Sequence, residues 1–329
     1  MTTHVSLWIW LGTIAGLLAI VALDLTVIAR RNRTVTIKDA TQWVSFYVAL
    51  AVAFGSAMLV FGRSGSGGEF FAGYITEYSL SVDNLFVFVI IISRFAVPVL
   101  SQDKVLYIGI VVSLILRGVF ITAGAAALAA FNWVFYIFGA FLVYTAVRLA
   151  IEGQNDETDF RENAVLRALR RVLPTTPHFA AASFTTRVDG RRLFTPMVIV
   201  IAAIGLANVI FALDSIPAIF GLTQDPYIVF AANAFALMGL RQLYFLIGGL
   251  LERIIYLNIG LSVILAFIGV KLIIEALHGS RVDALGPLHL PEIGISASLG
   301  FIIVTLMVTT ASSLGKSHYD RRQLPTDFL

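Results

Sequence analysis

The sequence predicts an all-α polytopic membrane protein with about nine transmembrane helices and an inverted three-helix repeat. Three observations support this class. Hydrophobic residues make up 58% of the 329 residues, charged residues only 13%, and the mean hydropathy is +0.89. Long apolar runs recur along the chain, and about 20 residues of helix are needed to cross a bilayer core. Two of these runs carry similar acidic segments.

Nine apolar runs are long enough to be membrane spans, and a soluble domain could not bury this much apolar surface. Their approximate bounds are 5–29, 42–62, 70–94, 104–128, 131–151, 196–221, 227–250, 255–277 and 293–314. The fourth and fifth are divided only by the short Phe131-Asn132-Trp133 link. The first run lacks a preceding basic segment and contains Asp24, so it is predicted to be a span and not a signal peptide.

Basic residues concentrate in alternate loops, which predicts the orientation of the chain. The 30–38 loop, the 152–195 insert and the C-terminal tail are rich in Arg or Lys, and nine spans place them on one side. Only Arg63 and Arg281 fall in opposite loops. We expect a multi-pass protein of the inner (cytoplasmic) membrane, with its N-terminus outside and its C-terminus in the cytoplasm. The formal charge of +3 reflects this bias and does not indicate nucleic acid.

Two sets of three spans follow the same order, which predicts an internal repeat. In each set an Asp-bearing span comes first, an Arg-bearing span second, and a span ending in Val-basic-Leu-x-Ile-Glu third. The marker residues are Asp83, Arg117 and Arg148 in one set and Asp214, Arg241 and Lys271 in the other. The copies are offset by three spans, so the second crosses the membrane in the opposite sense, as in many secondary transporters. We predict a single membrane domain, 1–329, with repeats at about 70–151 and 196–277.

The 152–195 insert is the only substantial segment predicted outside the membrane. Apolar residues from Val165 to Leu173 recur at helical spacing beside several Arg residues, which predicts a basic amphipathic helix. The Asp189-Gly190 pair, between two alternating segments, predicts a β-hairpin. An ordered cytoplasmic linker without chemistry is the favoured interpretation.

The acidic segments are candidate functional sites because charges at membrane depth cost several kcal/mol and are rarely kept without a role. The first runs from Glu77 to Asn84 and includes Asp83. On an ideal helix Glu77 and Asn84 share a face, whereas Asp83 lies roughly 120° away. Both carboxylates therefore reach one ion only where the helix is broken or a second helix fills the gap.

The second acidic segment, from Asn208 to Ser215, repeats this arrangement around Asp214. Here the sequence offers a cause for a break, because Pro217 follows the Asp by three residues and lacks a backbone N–H. We predict that the sixth span is interrupted at Pro217.

All candidate ligands are oxygen donors. The set comprises Asp24, Glu77, Asp83, Asn84, Asn208 and Asp214. The five His residues fall in loops or at span ends, and the chain has no Cys. Oxygen ligands suit Mg²⁺, Ca²⁺ and Mn²⁺ rather than Zn²⁺ or copper. We expect a hard divalent cation as substrate and no tightly bound cofactor, with an ion or proton gradient as the energy source.

A structural role for the same residues stays open. Arg117 and Arg241 lie within spans and need counter-charges, so Asp83 and Asp214 could pair with them and only hold the bundle together. Alternatively, an arginine that releases its Asp when a metal ion or a proton arrives would serve to couple transport to that binding. The basic residues at the repeat ends are expected to snorkel to the membrane surface, namely Arg148 and Lys271.

The sequence gives no indication of an enzyme. The Gly62–Gly68 loop lacks the Lys-Ser/Thr pair of a phosphate-binding loop, so ATP is not expected. Neither membrane Asp stands in a Gly-x-Gly-Asp setting, which argues against an intramembrane protease.

Several strings resemble the TerC/Alx family of integral membrane proteins, over residues from about 13 to 310. The most specific is Phe-Ala-Leu-Asp-Ser-Ile-Pro-Ala at 211–218. The others are the Glu77–Val87 segment, Ala22–Leu25, Val188–Arg191 and Ala234–Arg241. The resemblance implies a secondary transporter that exports divalent cations, chiefly Mn²⁺. The family is named for tellurium resistance, and some members are linked to metal loading of secreted proteins or to membrane-protein insertion.

By this resemblance, the family's acidic positions match Asp24, Glu77, Asp83 and Asp214. The chain departs from the family at Gly205 and Asn208, where a Glu and an Asp are usual. Two hypotheses follow. One is a gradient-driven exporter of divalent metal; the other is a non-transporting protein of the same fold that serves membrane assembly or the tellurite stress response.

Overall fold

The computed structural model describes residues 6–29, 36–152, 175–176, 179, 183–188, 191–247, 256–280, 284–285 and 288–323. The helices are α1 (Leu7–Ala29), α2 (Ile37–Phe61), α3 (Ser66–Arg94), α4 (Val99–Ala130), α5 (Val134–Glu152), α6 (Pro196–Phe220), α7 (Pro226–Leu237), α8 (Leu240–Ile247), α9 (Leu257–Gly279) and α10 (Ile295–Gln323). The strands are β1 (Thr185–Val188), β2 (Arg191–Phe194), β3 (Ala284–Leu285) and β4 (Leu288–His289).

The prediction of an all-α polytopic membrane protein is confirmed. Within the described residues, eight segments are helical, long and apolar enough to cross a membrane, and α1 adds a shorter apolar stretch, Leu7–Ile20. The predicted division at Phe131–Trp133 is also confirmed, since α4 ends at Ala130 and α5 begins at Val134. Apolar side chains such as Leu59 and Phe61 are exposed on the outer faces, as contact with lipid requires.

Helices of the two predicted repeats pack against their counterparts: α3 against α6, α4 against α7 and α8, and α5 against α9. The α3 and α6 helices run antiparallel. A Cβ placed on Gly73 would lie 3.3 Å from Ile219 Cγ2, and the rings of Phe88 and Phe211 are 6.1 Å apart. Helices that are not counterparts also pack together, among them α4 with α6 and α3 with α7, so the two-fold relationship itself stays a prediction.

Glycines allow α5 and α9 to approach closely. A Cβ on Gly139 would lie 2.8 Å from the Gly269 carbonyl oxygen, and a Cβ on Gly269 would lie 2.9 Å from that of Gly139. Small residues at helix crossings bring backbones together where lipid provides no hydrophobic drive between helices. The crossing is extended by Asn132 Nδ2, which donates to the Ala276 carbonyl at 3.4 Å.

The predicted break at Pro217 is wrong. The α6 helix continues through Pro217, which is buried with its neighbours Ile216, Ala218 and Ile219. Packing on this buried turn outweighs the one backbone hydrogen bond that proline lacks. The interrupted span is the next one, where α7 ends at Leu237 and α8 begins at Leu240.

Gly239 explains this interruption. It adopts φ +87°, a conformation that favours glycine, and it follows Met238, whose backbone is extended. Discontinuous membrane helices expose backbone groups at depth, and transporters use them at ion sites.

The predicted hairpin is confirmed in its strands. β1 and β2 pair antiparallel, with Thr185 opposite Phe194 and Val188 opposite Arg191. The Asp189-Gly190 link and the predicted amphipathic helix lie outside the described residues.

Candidate functional site

Glu77 is fully buried in the middle of α3. Its Oε1 atom accepts a hydrogen bond from Ser81 Oγ at 3.1 Å and forms an ion pair with Arg117 of α4. Its Oε2 atom has no hydrogen-bond partner among the described residues. One oxygen of this carboxylate is thus held by protein groups, and the other is free of them within the described part.

Arg117 is buried and has three partners. Besides the ion pair with Glu77, its Nη1 donates to Asn233 Oδ1 of α7, and its Nε donates to Ser113 Oγ at 3.2 Å. Asn233 is fixed in turn, because its Nδ2 donates to the Val229 carbonyl at 2.9 Å. The guanidinium therefore links helices of both predicted repeats.

Two further buried oxygens lack hydrogen-bond partners among the described residues, Thr76 Oγ1 of α3 and Ser215 Oγ of α6. Glu77 is one helical turn after Gly73, and Ser215 is one turn before Ile219. Because Gly73 and Ile219 are in contact and the helices are antiparallel, Glu77 and Ser215 lie at the same level. Buried polar atoms without partners are rare and point to a ligand or water.

Asn208 contacts α4 rather than a carboxylate. It is buried, and its Nδ2 donates to the Gly109 carbonyl at 2.9 Å. One turn earlier, a Cβ on Gly205 would meet no atom within 4 Å. The two positions that depart from the family pattern therefore differ, since one makes a helix contact and the other borders open space.

Asp214 is partly buried and lies beside α5. Its Oδ1 accepts from Thr145 Oγ1 at 3.4 Å, and Arg148 lies close enough to attract it electrostatically. Because α6 is unbroken, Asp214 and Asn208 contact different helices, as their six-residue spacing predicts. Arg148 was expected only to snorkel to the membrane surface, but it also provides positive charge near Asp214.

Arg241 does not pair with Asp214. It is buried at the start of α8, and its Nη1 lies 3.8 Å from Asp103 Oδ1 of α4. Asn84 is partly buried on α3. Asp24 and Asp83 are placed on α1 and α3, but their side chains lie outside the described ones.

A second polar cluster occupies the end of the bundle where α2 joins α3 and α6 joins α7. The buried carboxylate of Glu69 accepts from Arg63 Nη2 at 2.9 and 3.0 Å and from the Thr223 hydroxyl. Lys271 lies near Glu69 and donates from Nζ to Ser298 Oγ at 3.3 Å. Lys271 is only 8% exposed, so the expectation that it snorkels is wrong.

Among the described side chains, no three Asp, Glu, His or Cys residues come close enough together to hold a metal ion. The two undescribed carboxylates belong to the predicted ligand set, so this finding leaves the set untested. The described part offers the fully buried Glu77–Arg117 ion pair, with one carboxylate oxygen that lacks a hydrogen-bond partner and two such hydroxyls at Thr76 and Ser215.

The residues that hold Arg117 and Glu69 in place are not among those predicted from the sequence. Asn233 had a usable signal, because an amide within an apolar span needs a partner. Ser113 lies four residues before Arg117, the spacing at which side chains meet on a helix. The Arg63–Glu69–Thr223 contacts had no such signal, since Thr223 is distant in sequence.

Comparisons with known proteins agree with this membrane architecture. A sequence model described as the integral membrane protein TerC family matches residues 62–321. The chain is 43% identical to an uncharacterized membrane protein of Mycobacterium tuberculosis, over 93% of this chain and 78% of the relative. It is 36% identical to the Escherichia coli protein named "Putative membrane-bound redox modulator Alx", over 92% of both. No solved structure matches significantly.

Proposed function

Because the chain belongs to the TerC family of integral membrane proteins, we propose that it is a secondary transporter that exports divalent cations, with Mn²⁺ as the favoured substrate. The ligand set in this proposal comprises Asp24, Glu77, Asp83, Asn84, Asn208 and Asp214. Their oxygen chemistry suits a hard divalent ion.

One observation carries the proposal: buried oxygens without a described hydrogen-bond partner lie at one depth of the bundle, on α3 and on α6. Glu77 Oε2, Thr76 Oγ1 and Ser215 Oγ are all buried without a described hydrogen-bond partner. Leaving such groups unpaired costs free energy, and a cation passing through the bundle would be coordinated by them. Asp214 and the carboxylates whose side chains are undescribed would add negative charge around this point.

The proposed orientation of the chain follows from the loops, whereas export is the direction that the family resemblance implies. Basic residues favour the cytoplasmic side, so the proposed orientation has the N-terminus outside and the C-terminus in the cytoplasm. We propose export across the cytoplasmic membrane, driven by an ion or proton gradient.

A role without transport, in membrane assembly or tellurite resistance, is the competing proposal. The name of the E. coli relative adds a redox role to be weighed. Since this chain has no Cys, a redox role here would not use thiols of its own.

Intracellular manganese distinguishes these proposals. In cells that depend on this chain for manganese tolerance, we expect Asp83→Asn and Asp214→Asn to accumulate the metal and lose tolerance. Glu292→Gln, in an exposed loop, serves as the matched control and should behave as wild type. Unchanged metal content in both Asp variants, at equal membrane expression, would favour the role without transport.

A further inference from the structure

The Glu77 carboxylate is already paired with a cation that belongs to the protein. Arg117 carries one positive charge and forms its ion pair with Glu77 inside the bundle. Arg117 is 2% exposed and Glu77 0% exposed, so water contributes little to the solvation of either group. Together they form a neutral unit, and any other cation that reaches Glu77 must compete with the guanidinium.

The charge of the incoming ion decides this competition. A Na⁺ or K⁺ ion offers Glu77 the same single charge as Arg117, loses its own hydration shell, and leaves the guanidinium buried without a counter-ion. A divalent ion gives up a more strongly bound hydration shell but offers Glu77 twice the charge, and Coulomb attraction scales with the product of the charges. Partial replacement of Arg117 therefore favours a divalent ion over a monovalent one.

The other partners of Arg117 allow this replacement. Asn233 Oδ1 and Ser113 Oγ accept hydrogen bonds from the guanidinium independently of Glu77. When an ion binds Glu77, these two acceptors still hold the arginine, so its polar hydrogens are not all left unpaired. Both acceptors are buried, which keeps the guanidinium near the site.

We propose that Arg117 is a specificity-determining residue: a tethered monovalent cation that excludes Na⁺ and K⁺ from Glu77 and admits divalent ions. This inference rests on the proposed transport of divalent metal. It assigns Asn233 and Ser113 to positioning the guanidinium.

The test measures Mn²⁺ binding to the purified full-length protein in detergent, from the electron paramagnetic resonance signal of free Mn²⁺. Each protein is compared in NaCl and in N-methyl-D-glucamine chloride at equal ionic strength. We expect wild type to bind Mn²⁺ equally well in both salts. In Arg117→Gln, Na⁺ should gain access to Glu77 and weaken Mn²⁺ binding by about tenfold relative to the organic cation.

Three variants keep the result interpretable. Arg117→Lys retains the tethered charge and should remain insensitive to Na⁺. Arg63→Gln removes an arginine from the buried Glu69, away from Glu77, and should also behave as wild type. Should Arg117→Gln fail to fold, Asn233→Ala removes one anchor and keeps the charge. We expect it to show a smaller Na⁺ effect of the same sign.

Equal Mn²⁺ binding in the two salts by Arg117→Gln, or by Asn233→Ala if only that variant folds, would overturn the inference. A Na⁺ effect in wild type as large as that in the variant would overturn it too. Failure of the proposed transport function would give a different result, because folded wild type would then bind no Mn²⁺ in either salt.

Discussion

Arg117 of α4 forms an ion pair with Glu77 of α3 in the interior of the helix bundle, and it also donates to Asn233 of α7. The sequence suggested Asp83 as the partner of Arg117, whereas the structure assigns Glu77. Both residues of the pair belong to the first predicted repeat, and the contact with Asn233 joins them to the second. It accounts for a buried arginine and leaves one oxygen of the carboxylate without a described partner.

The first prediction concerns the stability of this pair. Glu77→Gln leaves Arg117 buried without a counter-charge, and breaking a buried pair in this way costs about 3–5 kcal/mol. We expect a clear fall in the apparent melting temperature of the protein in detergent. The double variant Glu77→Gln with Arg117→Gln should recover much of this loss, because no buried charge remains. A double variant no more stable than Glu77→Gln would contradict the pairing.

The second prediction concerns Asn208. Asn208→Asp replaces a donor with a carboxylate facing the Gly109 carbonyl, which costs about 1–3 kcal/mol for the lost and repelled contact. The apparent melting temperature should fall without metal and rise more steeply with Mn²⁺ than that of wild type, since a ligand stabilises the state that binds it.

Gly205→Ala provides the contrasting variant. Its Cβ would meet no atom within 4 Å, so the substitution should change the melting temperature little. If Gly205→Ala destabilised the protein as much as Asn208→Asp did, the difference described between the two positions would be wrong.

The third prediction concerns the cluster at Glu69. Thr223→Val keeps the shape of the side chain and removes the hydroxyl that donates to the buried carboxylate. We expect a loss of about 1–2 kcal/mol, seen as a lower apparent melting temperature. Thr122→Val is the matched control, because that hydroxyl is exposed and bonds only within its own helix, to Gly118. Equal effects of the two substitutions would count against the Glu69 contact.

The fourth prediction concerns the interrupted span. Gly239→Ala places a Cβ at a positive φ and 3.1 Å from Tyr47 Cδ2, so both backbone strain and crowding oppose it. We expect destabilisation of about 1–2 kcal/mol in thermal unfolding. Gly205→Ala, with open space and no positive φ, should have little effect. Equal stability of the two alanine variants would mean that the break does not depend on glycine.

The fold class could be predicted because membrane helices are set mainly by local composition. The apolar runs, the Phe131–Trp133 division and the Asp189-Gly190 hairpin strands each depend on residues close in sequence. The position of the helix break could not be predicted in the same way. Pro217 lacks a hydrogen bond but is buried on a well-packed turn, whereas Gly239 reveals its role only through its dihedral angle.

The candidate site was predicted in its residue types but not in its pairings. Helical spacing places Glu77 and Asp83 on different faces, yet only packing decides which face meets Arg117. Spacing likewise predicts that Asn208 and Asp214 contact different helices, but only packing shows that these helices are α4 and α5. Lys271 was expected at the membrane surface and is buried, because the packing of α9 against α10 brings Ser298 beside it.

The central claim is that a divalent cation crosses the bundle past Glu77, and flux into liposomes containing the purified protein tests it most directly. We expect saturable Mn²⁺ uptake by wild type and none by the neutral double variant Glu77→Gln with Arg117→Gln, provided that both proteins are folded. Mn²⁺ uptake by folded wild type no faster than by empty liposomes would contradict the claim, as would equal uptake by the double variant.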